Sequence, residues 1–128
     1  MPIQAWNVGV AEYTRQAQQG IYSTLAPSQT VSQTAATQLT TDFVVLTTTA
    51  GAGAVKVLGG ADTASTPGPC LVGDSMIIAN HTGQNVTIYP QSGGTIKNAS
   101  ANTGFLIATG LTAYLTYFGS GNWAANAS

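Results

Sequence analysis

The chain has 128 residues, a formal net charge of −1 at pH 7 and an apolar fraction of 44%, which suits one domain with a buried core. Only 5% of its residues are Asp, Glu, Lys or Arg, whereas soluble domains average about 25%. Three basic residues are too few for the positive surface that binds nucleic acid or an anionic membrane. Because surface charge normally keeps proteins soluble and separate, this composition favours a chain that packs against other subunits.

Two further features exclude common classes of protein. The longest apolar stretch, Phe105–Phe118, is interrupted by polar residues and is shorter than the roughly 20 residues that span a bilayer, so we expect no membrane segment. No basic region followed by an apolar run marks a signal peptide. The one cysteine, Cys70, has no partner for an intrachain disulfide, and we expect it to be a small apolar core residue.

The N-terminal segment differs in character from the rest of the chain. Apolar side chains recur there every three or four residues, which predicts a short amphipathic helix over about Val10–Gln19. An extended arm that contacts a partner through Trp6, Tyr13 and Tyr22 accounts for the same residues equally well. Both interpretations make this segment a candidate contact region.

Short strands separated by turns account for most of the remaining residues. Apolar alternation and turn signals predict strands at Phe43–Thr48, Ala54–Leu58, Ser75–Asn80, Asn85–Tyr89, Thr95–Lys97, Phe105–Thr109, Thr112–Phe118 and Trp123–Ala125. About seven to nine such strands predict an all-β fold, an antiparallel β-sandwich or jelly-roll-like domain with an N-terminal arm or short helix. We therefore divide the chain into an arm and connector that docks onto a partner, residues 1–41, and a β-sandwich domain, residues 42–128.

The clearest local pattern is the segment Gly73–Pro90. Its two strands, Ser75–Asn80 and Asn85–Tyr89, are separated by a short polar turn in which Gly83 can adopt a positive φ. Pro90 cannot donate a ladder hydrogen bond and ends the second strand. The pattern predicts a β-hairpin.

Catalytic chemistry has little support in this sequence. The only histidine, His81, lies in the predicted turn, and Asp74 lies at the far end of the preceding strand. The other carboxylates, Glu12, Asp42 and Asp62, share no motif with Asp74 or with one another. We therefore predict that the protein is not an enzyme and has no catalytic residue, no cofactor and no metal site.

The second half of the chain carries a run of turn and strand motifs in a recognisable order. These motifs are Gly73-Asp74, Asn80–Gly83, Tyr89-Pro90, Gly93-Gly94, Asn98–Asn102, Thr109-Gly110, Ala113–Phe118 and Trp123. Together they cover about Leu71–Ala125 and resemble a β-rich module of tailed-bacteriophage structural proteins. The resemblance implies a virion protein, commonly a homotrimer, of the kind found in capsid decoration (cement) proteins and head fibres.

That resemblance implies a function and a set of partners. The expected function is decoration of the outer capsid surface, with the major capsid protein or another virion protein and further copies of the chain as partners. Trp6, Tyr13 and Tyr22 are then the candidate capsid or subunit contacts.

Two alternatives remain open at this stage. The first is a head- or tail-fibre or spike component whose loops Gly59–Pro69 and Asn98–Thr103 contact the host. The second is a carbohydrate-binding module, which would stack sugars on exposed aromatic side chains, with four candidates: Tyr89, Tyr114, Tyr117 and Trp123.

Overall fold

The structure of the chain is a computed structural model that describes residues 23–47, 49–57 and 72–128. All regular structure in these ranges is β, and the predicted helix over Val10–Gln19 lies outside them. There are ten strands: β1 (Ser23–Leu25), β2 (Thr37–Gln38), β3 (Phe43–Leu46), β4 (Gly53–Lys56), β5 (Ser75–Asn80), β6 (Val86–Tyr89), β7 (Thr95–Ile96), β8 (Phe105–Ile107), β9 (Thr112–Gly119) and β10 (Asn122–Ala127).

The strands form two sheets that enclose one core. Sheet A contains six strands in the order β1-β3-β5-β9-β10-β7, and sheet B contains four in the order β2-β4-β6-β8. Inward-facing side chains from both sheets make up one buried cluster, so the predicted all-β sandwich is confirmed. Strands β1 and β2 come from residues 23–41, which the sequence analysis grouped with the connector.

The strand directions correct the prediction of an antiparallel sandwich. Five of the eight strand pairings are parallel, and the antiparallel ones are β5–β9, β6–β8 and β9–β10. The physical reason is that β1 to β6 alternate between the two sheets. The chain therefore returns to the same sheet with every second strand and runs in the same direction each time. The pairs β1–β3, β3–β5, β2–β4 and β4–β6 are parallel for this reason.

The predicted hairpin Gly73–Pro90 is also corrected. Strand β5 lies in sheet A and β6 lies in sheet B, so the turn between them forms a β-arch, in which consecutive strands face each other across the core. Buried Asn80 explains this geometry: its Nδ2 donates to the carbonyls of Gln84 (2.8 Å) and Ile107 (3.0 Å). Its Oδ1 accepts hydrogen bonds from the backbone N–H (3.1 Å) and the hydroxyl (2.7 Å) of Thr82. Three of these bonds pair polar groups of the turn itself, and the fourth joins the turn to β8. Backbone groups of the turn thus have partners although β5 and β6 do not pair with each other.

Strand alternation determines what enters the core. In β9, Ala113, Leu115 and Tyr117 face inward, whereas their neighbours along the strand face solvent. Tyr117 packs on Trp123 of β10 with ring centroids 5.0 Å apart, and its hydroxyl accepts a hydrogen bond from the N–H of Gly121. The residues that alternate with these core positions therefore form the outward surface of sheet A.

Candidate contact surface

The titratable residues are not assembled into a catalytic site in the described part of the chain. His81 follows β5 and is exposed, while Asp74 precedes the same strand, so the whole of β5 separates them as predicted. Asp42 lies immediately before β3. In the described ranges, no three His, Cys, Asp or Glu side chains come close enough to hold a metal ion. Those ranges also contain no helix with the length and hydropathy of a membrane span.

The three predicted contact residues, Trp6, Tyr13 and Tyr22, lie outside the described residues. Cys70 and the loop Gly59–Pro69 also lie outside them. The assignment of these residues to partner contacts or to the core stays a prediction.

The aromatic residues proposed as sugar platforms have different environments. Tyr117 and Trp123 are only 3% and 2% exposed and belong to the core, which removes them as surface platforms. Tyr89 is half-buried on the outward side of sheet B, against Gly104. Tyr114 is 49% exposed on the outward side of sheet A. Of the four aromatic residues, Tyr114 alone has a strongly exposed ring, and that ring belongs to a larger surface.

That surface is the outward side of sheet A, which we call the outer face. It is formed by the residues that alternate with the core positions of the central strands: Thr24, Phe43, Val45, Ser75, Ile77, Ala79, Thr112, Tyr114, Thr116, Phe118, Ala124 and Asn126. None of them carries a charge. The remaining polar groups are hydroxyls and one amide.

Strand register places the apolar residues of the outer face in rows across the sheet. Phe43 of β3 pairs with Ile77 of β5, Ile77 pairs with Tyr114 of β9, and Tyr114 pairs with Asn126 of β10. Directly paired residues have Cβ atoms about 5 Å apart, so this row is continuous over four strands. Phe118 lies further along β9, beside the bulge where β9 and β10 change register, and is 57% exposed.

A row of small side chains separates the two aromatic positions of β9. Ser75, Thr116 and Ala124 are paired across β5, β9 and β10, and all three are exposed. Because residues two apart in a strand are nearly 7 Å apart, Tyr114 and Phe118 stand about 13 Å from each other with Thr116 between them. The outer face therefore has a shallow groove of small residues with an aromatic side chain on each side.

The loop Asn98–Thr103, a candidate host contact, is held firmly to the body of the protein. Asn102 Oδ1 accepts hydrogen bonds from the N–H of Gly93 (2.7 Å) and from Nε2 of Gln33 (3.0 Å). Asn98 and Asn102 both have a positive φ, a conformation that asparagine tolerates better than most residues. The loop is exposed but ordered by these contacts, and it presents amides and hydroxyls to solvent.

The outer face is not among the predictions from the sequence, although the apolar pattern of β9 indicates it. Strand β9 is apolar on both sides: Ala113, Leu115 and Tyr117 face the core, and Tyr114 and Phe118 face outward. A strand that is apolar on both faces is typical of one buried on both faces. No second layer of the described residues covers this side of sheet A, and its largest residues stay exposed.

Comparison with known proteins adds no family to this description. Neither the protein-family models, nor the curated proteins, nor the solved structures gave a significant match to the chain.

Proposed function

We propose that the chain is a structural subunit of a tailed-phage particle, a decoration protein that binds the outer head surface and stabilises the shell. The observation that carries this proposal is the outer face of sheet A, an uncharged surface with three exposed aromatic side chains. Contiguous apolar surface of this kind marks sites of contact with other proteins. The phage setting rests on the resemblance of Leu71–Ala125 to virion modules, and the low charge of the chain agrees with an assembled state.

A decoration protein of this type acts through contact area and not through chemistry. Each bound copy would bridge neighbouring shell subunits and add buried surface that must be broken before the shell can open. The expected partner is the major capsid protein or another virion protein. The N-terminal residues Trp6, Tyr13 and Tyr22 would contact that partner, because large aromatic side chains provide most of the energy at such interfaces.

Reconstitution on particles tests this function directly. Heads are purified from phage in which the coding sequence of the chain is disrupted, and the purified chain is added back. We expect saturable binding by co-sedimentation and a higher temperature of head rupture. Failure of the full-length, folded chain to bind these heads would contradict the proposal.

A deletion tests the role of the arm, and the structure determines where it must end. Strand β1 begins at Ser23, and Leu25 pairs with Leu46 and packs on the core. A deletion that includes Leu25 would therefore remove an edge strand, whereas removal of residues 1–22 leaves β1 intact. The chain lacking residues 1–22 should keep a cooperative unfolding transition in urea and lose binding to heads. Full retained binding would contradict the assignment of the arm.

The ordered loop Asn98–Thr103 supports a second candidate, a head- or tail-fibre component. A pre-organised, exposed loop of amides and hydroxyls suits recognition of a host receptor. Copy number separates the two functions: hundreds of copies per particle indicate decoration, whereas a few to some tens indicate a fibre. A signal on a glycan array that depends on Tyr114 would instead favour the carbohydrate-binding module.

A further inference from the structure

We propose that the outer face of sheet A is the contact between copies of this chain, so that the partner seated on it is a second copy. This inference rests on the proposed function, in which many copies act together. It goes further in naming the surface and its occupant. Three properties of the outer face carry it: its polar groups, its relief and its area.

The polar groups of the outer face can pair with themselves. A surface of one charge sign repels its own copy, and a surface of mixed charge requires a defined alignment. Thr24, Ser75, Thr116 and Asn126 each offer both a donor and an acceptor, so identical groups from two copies can hydrogen-bond. The nearest described carboxylates, Asp42 and Asp74, precede β3 and β5 and lie at the margin of the sheet.

The shape of the outer face also allows two copies to fit together. The row Ser75–Thr116–Ala124 forms a groove of small side chains between Tyr114 and Phe118. A two-fold contact, in which each patch meets an identical patch in the opposite direction, pairs the copies as dimers and so departs from the homotrimer that the resemblance implies. An aromatic side chain of one copy can then enter the groove of the other, with Thr116 near the symmetry axis.

The exposed aromatic side chains supply part of the area that association requires. Phe43, Tyr114 and Phe118 are 38%, 49% and 57% exposed, and at roughly 200 Å² per aromatic side chain these fractions correspond to about 300 Å². The neighbouring threonines, alanine and asparagine extend the patch toward the roughly 800 Å² per partner of a standard interface. The largest apolar patch on a monomer is already of this order, about 300–600 Å², and is commonly a contact site.

Sedimentation equilibrium of the full chain, free of particles, tests the inference. Tyr114→Lys and Phe118→Lys each place a charge on the outer face, and Leu106→Lys is the matched control, since Leu106 is 58% exposed on the outward side of sheet B. We expect the wild type and the control to self-associate in the micromolar range, and each outer-face variant to raise the dissociation constant at least tenfold. A wild type that is monomeric up to about 1 mM, or a control as weakened as the outer-face variants, would overturn the inference.

Disulfide trapping provides a second readout that does not depend on a weakened variant. In a Cys70→Ser background, Thr116→Cys places a thiol in the groove and Leu106→Cys places one on sheet B. Mild oxidation should link Thr116→Cys chains into dimers at least ten times faster than Leu106→Cys chains. Equal rates for the two variants would contradict the contact.

The two experiments separate this inference from the proposed function. A chain that stays monomeric in solution but binds heads in the reconstitution assay would overturn the copy contact and leave the decoration function. A chain that associates through the outer face but binds no heads would support the contact and contradict the decoration function.

Discussion

Replacement of Asn80 tests whether its side chain holds the β-arch between β5 and β6. Asn80 has no exposed surface, and its side chain takes part in four hydrogen bonds, two as donor to the carbonyls of Gln84 and Ile107 and two as acceptor from Thr82. These bonds connect a turn of sheet A to strand β8 of sheet B. Asn80→Ala removes all four of these hydrogen bonds.

The magnitude follows from the bonds that cannot be replaced. The Thr82 hydroxyl has a single hydrogen, which can donate either to Asn80 Oδ1 or to the carbonyl of Gln84 at 2.9 Å. In the variant it donates to Gln84, so that carbonyl keeps one partner. Three lost bonds at about 1 kcal/mol each give a loss of about 3 kcal/mol. Domains are usually stable by only about 5–15 kcal/mol, so the variant should unfold at much lower denaturant concentration.

Asn80→Asp adds a pH dependence with a defined sign. One oxygen of the new carboxyl group keeps the two donors of Thr82, while the other faces the carbonyl oxygens of Gln84 and Ile107 in a site without solvent exposure. Burial and the two carbonyls outweigh the donors, so the neutral form is favoured and its pKa in the folded state is raised above the ordinary value of about 3.9. Between those two pKa values the folded state holds a proton that the unfolded state has released. Stability of the variant is therefore highest below about pH 4 and falls as the pH rises through the folded-state pKa.

Urea unfolding followed by tryptophan fluorescence measures both effects, since Trp123 is buried in the core. The control is Asn85→Asp, at the other end of the same turn, where the side chain is exposed. The control should change stability by less than about 0.5 kcal/mol, as surface substitutions do. An Asn80→Ala variant within 1 kcal/mol of the wild type, or an Asn80→Asp variant that gains stability between pH 4 and 7, would refute the role assigned to Asn80.

Three further predictions concern packing. Tyr117→Phe removes the acceptor of the Gly121 N–H and should lower the free energy of unfolding by about 1 kcal/mol in urea titrations, whereas an unchanged midpoint would argue against that bond. Gly94→Ala brings a Cβ against the carbonyl oxygen of Gly121, so the melting temperature of this variant should fall. At Gly51 an added Cβ meets open space, so the Gly51→Ala variant should melt within a few degrees of the wild type. Leu39 is 2% exposed, so Leu39→Ala should lower the free energy of unfolding by about 2–5 kcal/mol. A decrease below 1 kcal/mol would place Leu39 outside the core.

The strands were predictable from the sequence where apolar residues alternate with polar ones, or follow one another, over four or more positions. Phe43–Leu46 and Val86–Tyr89 are strands with buried alternate residues, as the pattern predicted. The segments Thr37–Gln38 and Ser23–Leu25 are too short and too polar for such a pattern, and they are strands because β3 and β4 offer free edges beside them.

The pairing of strands was less predictable than their positions. A short turn rich in glycine and polar residues is compatible with a hairpin or with a β-arch, and local alternation is the same in both. The deciding interaction, from Asn80 to the carbonyl of Ile107, joins residues 27 positions apart, which no local pattern reveals. For the same reason, the outer face emerged only when register placed Phe43, Ile77 and Tyr114 side by side.

Electron cryo-microscopy of purified particles, combined with a count of copies per particle, shows whether the chain is a decoration subunit. We expect density for the chain on the outer head surface, hundreds of copies per particle, and the outer face of sheet A covered by a neighbouring copy. Absence of the chain from purified particles would contradict the claim that it is a structural subunit. Its presence with the outer face open to solvent would contradict the copy contact.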